Sequence, residues 1–315
     1  MDGLLIVDKP AGPTSHDVVA RIRRVLGERR IGHTGTLDPA ATGVLPLVLG
    51  RATRLARFLS AGDKIYEADI RLGVATDTYD ADGAPVGAAH TGPWPSADEI
   101  SRAVEKFRGQ FLQQPPAFSA KKIAGRRSYR LARASKQSDR GQVGVRPQPD
   151  PQPRAVTVTA HAIDLITVRD DHVSLRIHCS AGFYVRSLTH DLGQHLRIGA
   201  HLAGLRRTRS GDFVVADALP LEAAEADPDQ ARRAVISLDR VLPRLPAVTL
   251  AEEGVLRVKH GRDLRTADLA DGATATLEPL PAGRPVRLLD PGGQLLAIGE
   301  VHHVRAVLHP FVVLV

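Results

Sequence analysis

Two apolar runs, residues 3–7 and 44–49, lack the polar alternation of a surface strand and predict short strands buried on both faces. Residues 66–72 alternate instead, as a half-buried strand does. Between the first two runs, Val18, Val19, Ile22, Val25 and Leu26 recur at helical spacing. Thr14 or Ser15 can cap that helix, and Gly27 can stop it. Ser96 and Glu99 make a capping box that opens a helix running through Phe107. A short helix is expected over 53–59, strands over 155–168 and 173–179, a helix near 184–196, and Ala-rich helix over 218–240. Turns or loops are expected at 9–13, 76–83 (acidic) and 113–125, followed by a brief basic helix at 128–134. Residues 137–154 are polar and carry Pro147, Pro149, Pro151 and Pro153, which predicts a disordered, exposed insertion.

Prolines around 242–245 mark a linker. Beyond it, short apolar segments at 286–289, 295–298, 304–308 and 311–315 alternate with Gly and Pro turns, predicting a small β-rich domain over 243–315. With 315 residues, that leaves 1–242 as one large domain. The longest apolar runs fall far short of the roughly 20 residues of a membrane span. The N-terminus has no basic stretch of a secretory signal. A single cysteine, Cys179, permits no internal disulfide and no cysteine-based zinc site. A cytoplasmic protein with no membrane partner is therefore expected, and a monomer is expected as well.

A net charge of +7 and a pI near 9.9 favour a polyanionic partner such as nucleic acid. Lys121, Lys122, Arg126, Arg127, Arg130 and Arg133 lie within 13 residues around Tyr129, a density suited to phosphate contacts. Arg206, Arg207 and Arg209 form a second candidate patch. Neither a Gly-x-Gly-x-x-Gly nor a Gly-x-x-x-x-Gly-Lys-Ser/Thr string is present. One carboxylate stands out, Asp38, in a turn rich in glycine and threonine. Followed by Pro39, it fits a helix N-cap as readily as a catalytic group.

Five stretches taken together bear on that choice. They are Leu5-Ile-Val-Asp-Lys-Pro-Ala-Gly-Pro-Thr-Ser15, Gly32-His-Thr-Gly-Thr-Leu-Asp-Pro-Ala-Ala-Thr-Gly43, and Asp63-Lys-Ile-Tyr66. Pro116-Ala-Phe-Ser-Ala-Lys-Lys-Ile-Ala-Gly125 follows, and then His178-Cys-Ser-Ala-Gly-Phe-Tyr-Val-Arg186 with Leu205-Arg-Arg-Thr208. In this order they resemble the TruB family of tRNA pseudouridine synthases, over about residues 3–215. The resemblance implies an α+β fold with a mixed, largely antiparallel sheet and flanking helices, the pseudouridine synthase fold. More loosely, it implies a PUA-like C-terminal module that binds RNA.

It also implies an isomerase that converts uridine 55 of the tRNA T-loop to pseudouridine, needing no cofactor or metal. Asp38 would be the catalytic carboxylate, acting as a covalent nucleophile or as a base on the sugar. Arg186 would pair with it, Tyr184 would lie close by, and Tyr66 would stack on the everted base. His33 would hold the RNA loop and Leu205 would line the uracil pocket. Lys121, Arg126 and Arg133 would contact the substrate backbone, and Lys9 and Pro10 would support the site. Two other classes share these residues. One is an RNA-binding or tRNA-folding protein without essential catalysis. The other is an Asp-dependent nucleoside hydrolase or glycosylase, which would release free uracil.

Overall fold

A computed structural model describes residues 1–117, 122–123, 126–127, 153–270 and 283–315. Strand β1 (Gly3–Lys9) pairs antiparallel with β3 (Thr42–Leu49), Gly3 facing Leu49 and Lys9 facing Gly43. Leu5, Val7, Leu45, Leu47 and Leu49 enter one core, while Leu4, Ile6, Val44 and Val48 enter a second. Burial on both faces is why these runs show no alternation.

Helix α1 (Ser15–Leu26) follows β1 and buries Val18, Val19, Ile22 and Leu26. Thr14 is its cap: its hydroxyl accepts from the Asp17 N–H at 3.1 Å, and the Asp17 carboxylate accepts from the Thr14 N–H at 2.9 Å. Gly27, at φ 66°, ends the helix in the left-handed conformation. Strand β2 (Ile31–His33) adds to β3. The expected helix at 53–59 is a 3-10 turn, Gly50–Leu55, running into α2 (Ala56–Ser60).

Strand β4 (Lys64–Leu72) alternates as expected, with Lys64, Tyr66, Ala68, Ile70 and Leu72 buried. The short strands β5 (Ala75–Thr76) and β6 (Pro85–Val86) bracket the acidic loop. Helix α3 (Ala97–Glu105) carries the Ser96–Glu99 capping box and precedes β7 (Gly109–Gln113). Within the expected 113–125 loop, β8 (Lys122–Ile123) pairs with β9 (Arg126–Arg127), which begins just beyond it. The expected helix at 128–134 and nearly all of the expected insertion at 137–154 lie outside the described residues.

The chain continues through β10 (Val156–Arg169), β11 (His172–Cys179), α4 (Val185–Leu196), β12 (Ala200–Ser210), β13 (Phe213–Val214) and β14 (Leu219–Pro220). The large sheet runs β14-β1-β3-β12-β4-β11-β10-β7. The β1–β14 and β3–β12 pairings are parallel and the others along this path antiparallel. This is the mixed, largely antiparallel α+β fold expected.

Its central strand, β12, has no signature in the apolar pattern. Register shifts at Leu202/Gly204 and Arg207/Arg209 break the two-residue period, and arginines occupy both faces. At its parallel junction with β3, a Cβ on Gly43 would lie 2.2 Å from the Arg207 carbonyl oxygen, and Gly43 has φ 102°. Backbone meets backbone there, so no side-chain movement can relieve the contact. Gly43→Ala is expected to cost more than about 3 kcal/mol, read as a lower denaturant midpoint in urea unfolding.

The Ala-rich 218–240 segment is not one helix. It divides into β14, α5 (Leu221–Ala226), α6 (Pro228–Arg233) and a 3-10 turn at Leu238–Arg240. Pro228 has no N–H to continue α5, and Asp227 restarts the helix by accepting from the Asp229 and Gln230 N–H groups, each at 2.9 Å.

A separate sheet, β15 (Ala247–Thr249), β16 (Pro285–Leu289), β17 (Leu295–His302) and β18 (Val307–Val313), forms the small C-terminal β domain. The expected segments at 304–308 and 311–315 are in fact a 3-10 turn followed by one strand. Helix α7 (Glu252–Lys259), which the apolar pattern did not announce, covers this sheet. Leu295, Ile298 and Leu314 join Leu4, Ile6 and Val44 in the second core, fastening the small domain to the outer face of β1 and β3.

Candidate active site

The loop between β2 and β3 is tied down on both sides of Asp38. Buried Ser15 at the head of α1 accepts from the Leu37 N–H at 2.9 Å and donates to the Leu37 carbonyl at 3.0 Å. The fully buried Lys9 ammonium donates to the carbonyls of Pro10, Pro39 and Ala41 at 2.9, 3.0 and 2.7 Å. Burial lowers the Lys9 pKa to about 8, against the raising effect of the Asp38 charge. The support expected of Lys9 is therefore a clamp on the backbone after Asp38. Asp38 opens a turn, with the Ala41 N–H bonded to its carbonyl at 3.1 Å, and no helix follows, which removes the N-cap alternative.

The carboxylate, 44% exposed, meets Arg186 instead, with Nε 3.0 Å from Oδ2. Arg186 sits in the first turn of α4, its side chain only 9% exposed. The same guanidinium donates through NH1 to Asp80 Oδ2 and to the Thr78 carbonyl, each at 3.2 Å. Sequence reading passed over Asp80 as one acidic residue in a turn-rich loop. Its only signal was the Thr76-Asp-Thr-Tyr-Asp80 spacing, which permits local side-chain turns. Thr76 Oγ1 donates to the Asp80 carbonyl at 2.7 Å, and Thr78 Oγ1 donates to the Asp80 carboxylate.

Between them Tyr79 adopts φ 67°, uncommon for an aromatic residue. Its ring stacks on His190 of α4 with centroids 3.9 Å apart, pinning the loop to the helix that carries Arg186. Beside this stack, burial raises the Asp191 pKa to about 6. A folded-state value above the unfolded 3.8 gives stability that is full below pH 3.8 and lost as pH rises through 6. Asp191→Asn is expected to melt at a higher temperature than the parent at pH 7. The difference should vanish near pH 3.5, a comparison made by thermal unfolding across that range.

Gln113, 1% exposed at the end of β7, holds the start of α4. Its amide donates to the Tyr184 carbonyl at 2.9 Å and accepts from the Tyr184 N–H at 2.8 Å. Ser187 adds a bond to the Gln114 carbonyl at 2.7 Å. Gln113 and Gln114 precede the Pro116–Gly125 motif and carried no chemical signal in the sequence. Gln113 acts on the Tyr184 backbone and Gln114 through its own carbonyl, which residue type alone does not reveal.

These elements surround a cleft of about 240 Å³ lined by Asp38, Tyr66, Tyr184, Arg186 and Leu205, with Lys64 and Arg207 at its base. Tyr66 comes from β4, and Leu205 and Arg207 from the neighbouring β12. Burial pushes the Tyr66 phenol above its ordinary pKa, while the Arg207 guanidinium, hydrogen-bonded to it, acts in the opposite direction. Lys64 is lowered to about 8, also by burial. All four expected catalytic residues, and Leu205, thus meet in one cleft.

Arg207 corrects an expectation. It is 1% exposed, and it donates to the Val44 carbonyl at 2.7 Å and to the Gly35 carbonyl at 3.1 Å. It is an internal strut between the Asp38 loop and Tyr66, not part of a phosphate-binding patch. Arg206 is paired with Asp8 at 2.7 Å, and Arg209 turns onto the Gly211 carbonyl at 2.8 Å. His33 lies on β2, outside the cleft lining, and meets His16 edge-on at 5.2 Å between centroids. Lys121 and Arg133 fall outside the described residues, and Arg126 opens β9. No helix among the described residues is long and apolar enough to cross a membrane.

Residues 23–185 match the family model for the TruB family pseudouridylate synthase N-terminal domain. Residues 186–243 match that for the tRNA pseudouridylate synthase B C-terminal domain. The chain is 42% identical over 303 residues to tRNA pseudouridine synthase B of Solibacter usitatus, spanning 96% of each protein. It is 39% identical over 296 residues to the protein of that name from Syntrophotalea carbinolica, covering 94% of this chain and 90% of that one. Among solved structures, it resembles a chain of a Cbf5–Nop10–Gar1 complex, with TM-score 0.70 and 26% identity over 99% of this chain and 85% of that one. A chain of an H/ACA RNP bound to a substrate RNA containing 2′-deoxyuridine gives TM-score 0.69 and 25% identity, with coverage of 99% and 85%. The chain belongs to the TruB family of pseudouridylate synthases, isomerases that modify tRNA.

Proposed function

We propose that this protein isomerises uridine 55 in the T-loop of tRNA to pseudouridine, with Asp38 as the catalytic carboxylate acting on an everted base. The observation that carries this reading is the Arg186–Asp38 contact at 3.0 Å, in a cleft that Tyr66 and Leu205 also line. The contact fixes a half-exposed carboxylate in one orientation. Tyr66 offers a ring face to a flipped pyrimidine and Leu205 an apolar wall, while the chain's excess of positive charge suits an RNA backbone. Recognition of a folded loop by shape and splayed-out bases fits such a cleft. His33, Lys121, Arg126 and Arg133 are assigned to contacts with the T-arm around it. Residues 1–242 form the catalytic domain in this reading, and 243–315 an RNA-binding module.

The test is tritium release from a T-stem-loop RNA carrying 5-tritiated uridine, with chromatography of the nucleosides. Stoichiometric release at position 55 with no free uracil is expected. Free uracil would instead identify a glycosylase. Binding and refolding of tRNA without tritium release would identify a non-catalytic RNA-folding protein.

A further inference from the structure

On the face of the sheet opposite Lys64 and Tyr66, three side chains converge whose residue types suit a metal ion. Asp63 leads into β4 and shares a face with Ile65, the register partner of His178 on β11. His161 belongs to β10 at a bulge, where the pairing passes from Ala160/Cys179 to Ala162/His178. The extra residue is re-aimed toward the His178 side, a recognised use of bulges. As a result His161 Nε2 lies 3.4 Å and His178 Nε2 3.7 Å from the same atom, Asp63 Oδ2. The three ligand atoms lie within 4.8 Å of one another.

The two Asp63–histidine separations, 3.4 and 3.7 Å, are long for hydrogen bonds, which centre near 2.9 Å. They are close to the edge of a tetrahedron of ligands about 2.0–2.1 Å from a zinc ion, roughly 3.3 Å. The backbone that carries Asp63 is also tied down. The Asp63 carbonyl accepts from the Gly211 N–H at 2.8 Å, and Lys64 Nζ donates to the Ser60 carbonyl at 2.6 Å and to that of Gly62. Asp63 and His178 line an open cavity whose arginines are engaged elsewhere, Arg244 with Asp212 at 2.7 Å and Arg209 with the Gly211 carbonyl.

We propose that Asp63, His161 and His178 form a three-ligand site for a first-row divalent transition metal, Zn²⁺ foremost, with a fourth position open to solvent. Two imidazole nitrogens and one carboxylate oxygen suit zinc, cobalt or nickel, whereas magnesium and calcium require oxygen donors. A bound ion would clip the bulge of β10 to the entry of β4. None of the three residues lines the catalytic cleft.

The experiment uses the full chain without an affinity tag, stripped by chelator and titrated with Zn²⁺ against a chromogenic competitor. Co²⁺ serves as a spectroscopic probe of coordination geometry. One tight site per chain is expected, with tetrahedral Co²⁺ absorption and no competition from millimolar Mg²⁺. His161→Ala, His178→Ala and Asp63→Asn should each weaken Zn²⁺ binding at least about tenfold. All three side chains are partly exposed, so the metal-free variants should melt where the parent does. His161→Gln provides a second, milder variant at the bulge. Absence of saturable Zn²⁺ binding to the parent would overturn the proposal. So would unchanged binding in the His161→Ala/His178→Ala double variant, which would place the ion on other histidines.

Discussion

Asp38→Asn is expected to reduce the rate of pseudouridine formation by at least about 10⁴-fold, the scale seen when a group that acts on the reacting atoms is removed. The substitution is nearly isosteric. An amide oxygen can still accept from Arg186 Nε, and the clamps at Lys9 and Ser15 act on neighbouring backbone that does not change. The loop and the affinity for tRNA should therefore survive, within about threefold. What is lost is the anionic oxygen that serves as nucleophile or base. Single-turnover tritium release measures the rate, and filter binding measures the affinity. Wild-type turnover by Asp38→Asn would exclude the carboxylate from the chemistry.

Arg186→Lys should be the next most damaging change, lowering the single-turnover rate by about 10²–10³-fold. Arg186 holds Asp38 through Nε and Asp80 through NH1, so one planar fork sets two carboxylates at once. A lysine keeps the charge, but its single ammonium on a flexible stem cannot reproduce that fork. The stability cost should be about 2 kcal/mol. A fully buried pair would lose 3–5, but Asp38 is 44% exposed and partly solvated without its partner. Asp80→Asn should also slow the reaction, and combining it with Arg186→Lys should cost less than the sum of the two, because both act on one network. Additive losses would mean that Asp80 and Arg186 work separately.

How much of this was legible beforehand varied with the kind of residue. Asp38, Tyr66, Tyr184 and Arg186 announced themselves through motifs, and the structure gathers them into one cleft. The α1 and α3 caps were legible because capping is a matter of nearest neighbours in sequence. Asp80 and Gln113 were not. Each gains its importance from a partner far along the chain, Arg186 and the Tyr184 backbone respectively. Arg207 was misread for the same reason. An arginine among arginines suggests a surface patch until the strand carrying it proves central and its charge is found against the Val44 and Gly35 carbonyls.

By itself, the sequence determined the local elements and the chemical inventory. Hydrophobic spacing, caps and turn residues act over a few positions, and the identity of a carboxylate or an arginine does not depend on its surroundings. Only the tertiary structure decided that β12 lies between β3 and β4, that Arg186 bridges two carboxylates, and that two histidines and Asp63 meet on the far face of the sheet. Those facts depend on strand order, on bulges that shift register, and on burial. All three arise from packing between residues distant in the chain, which no local pattern encodes.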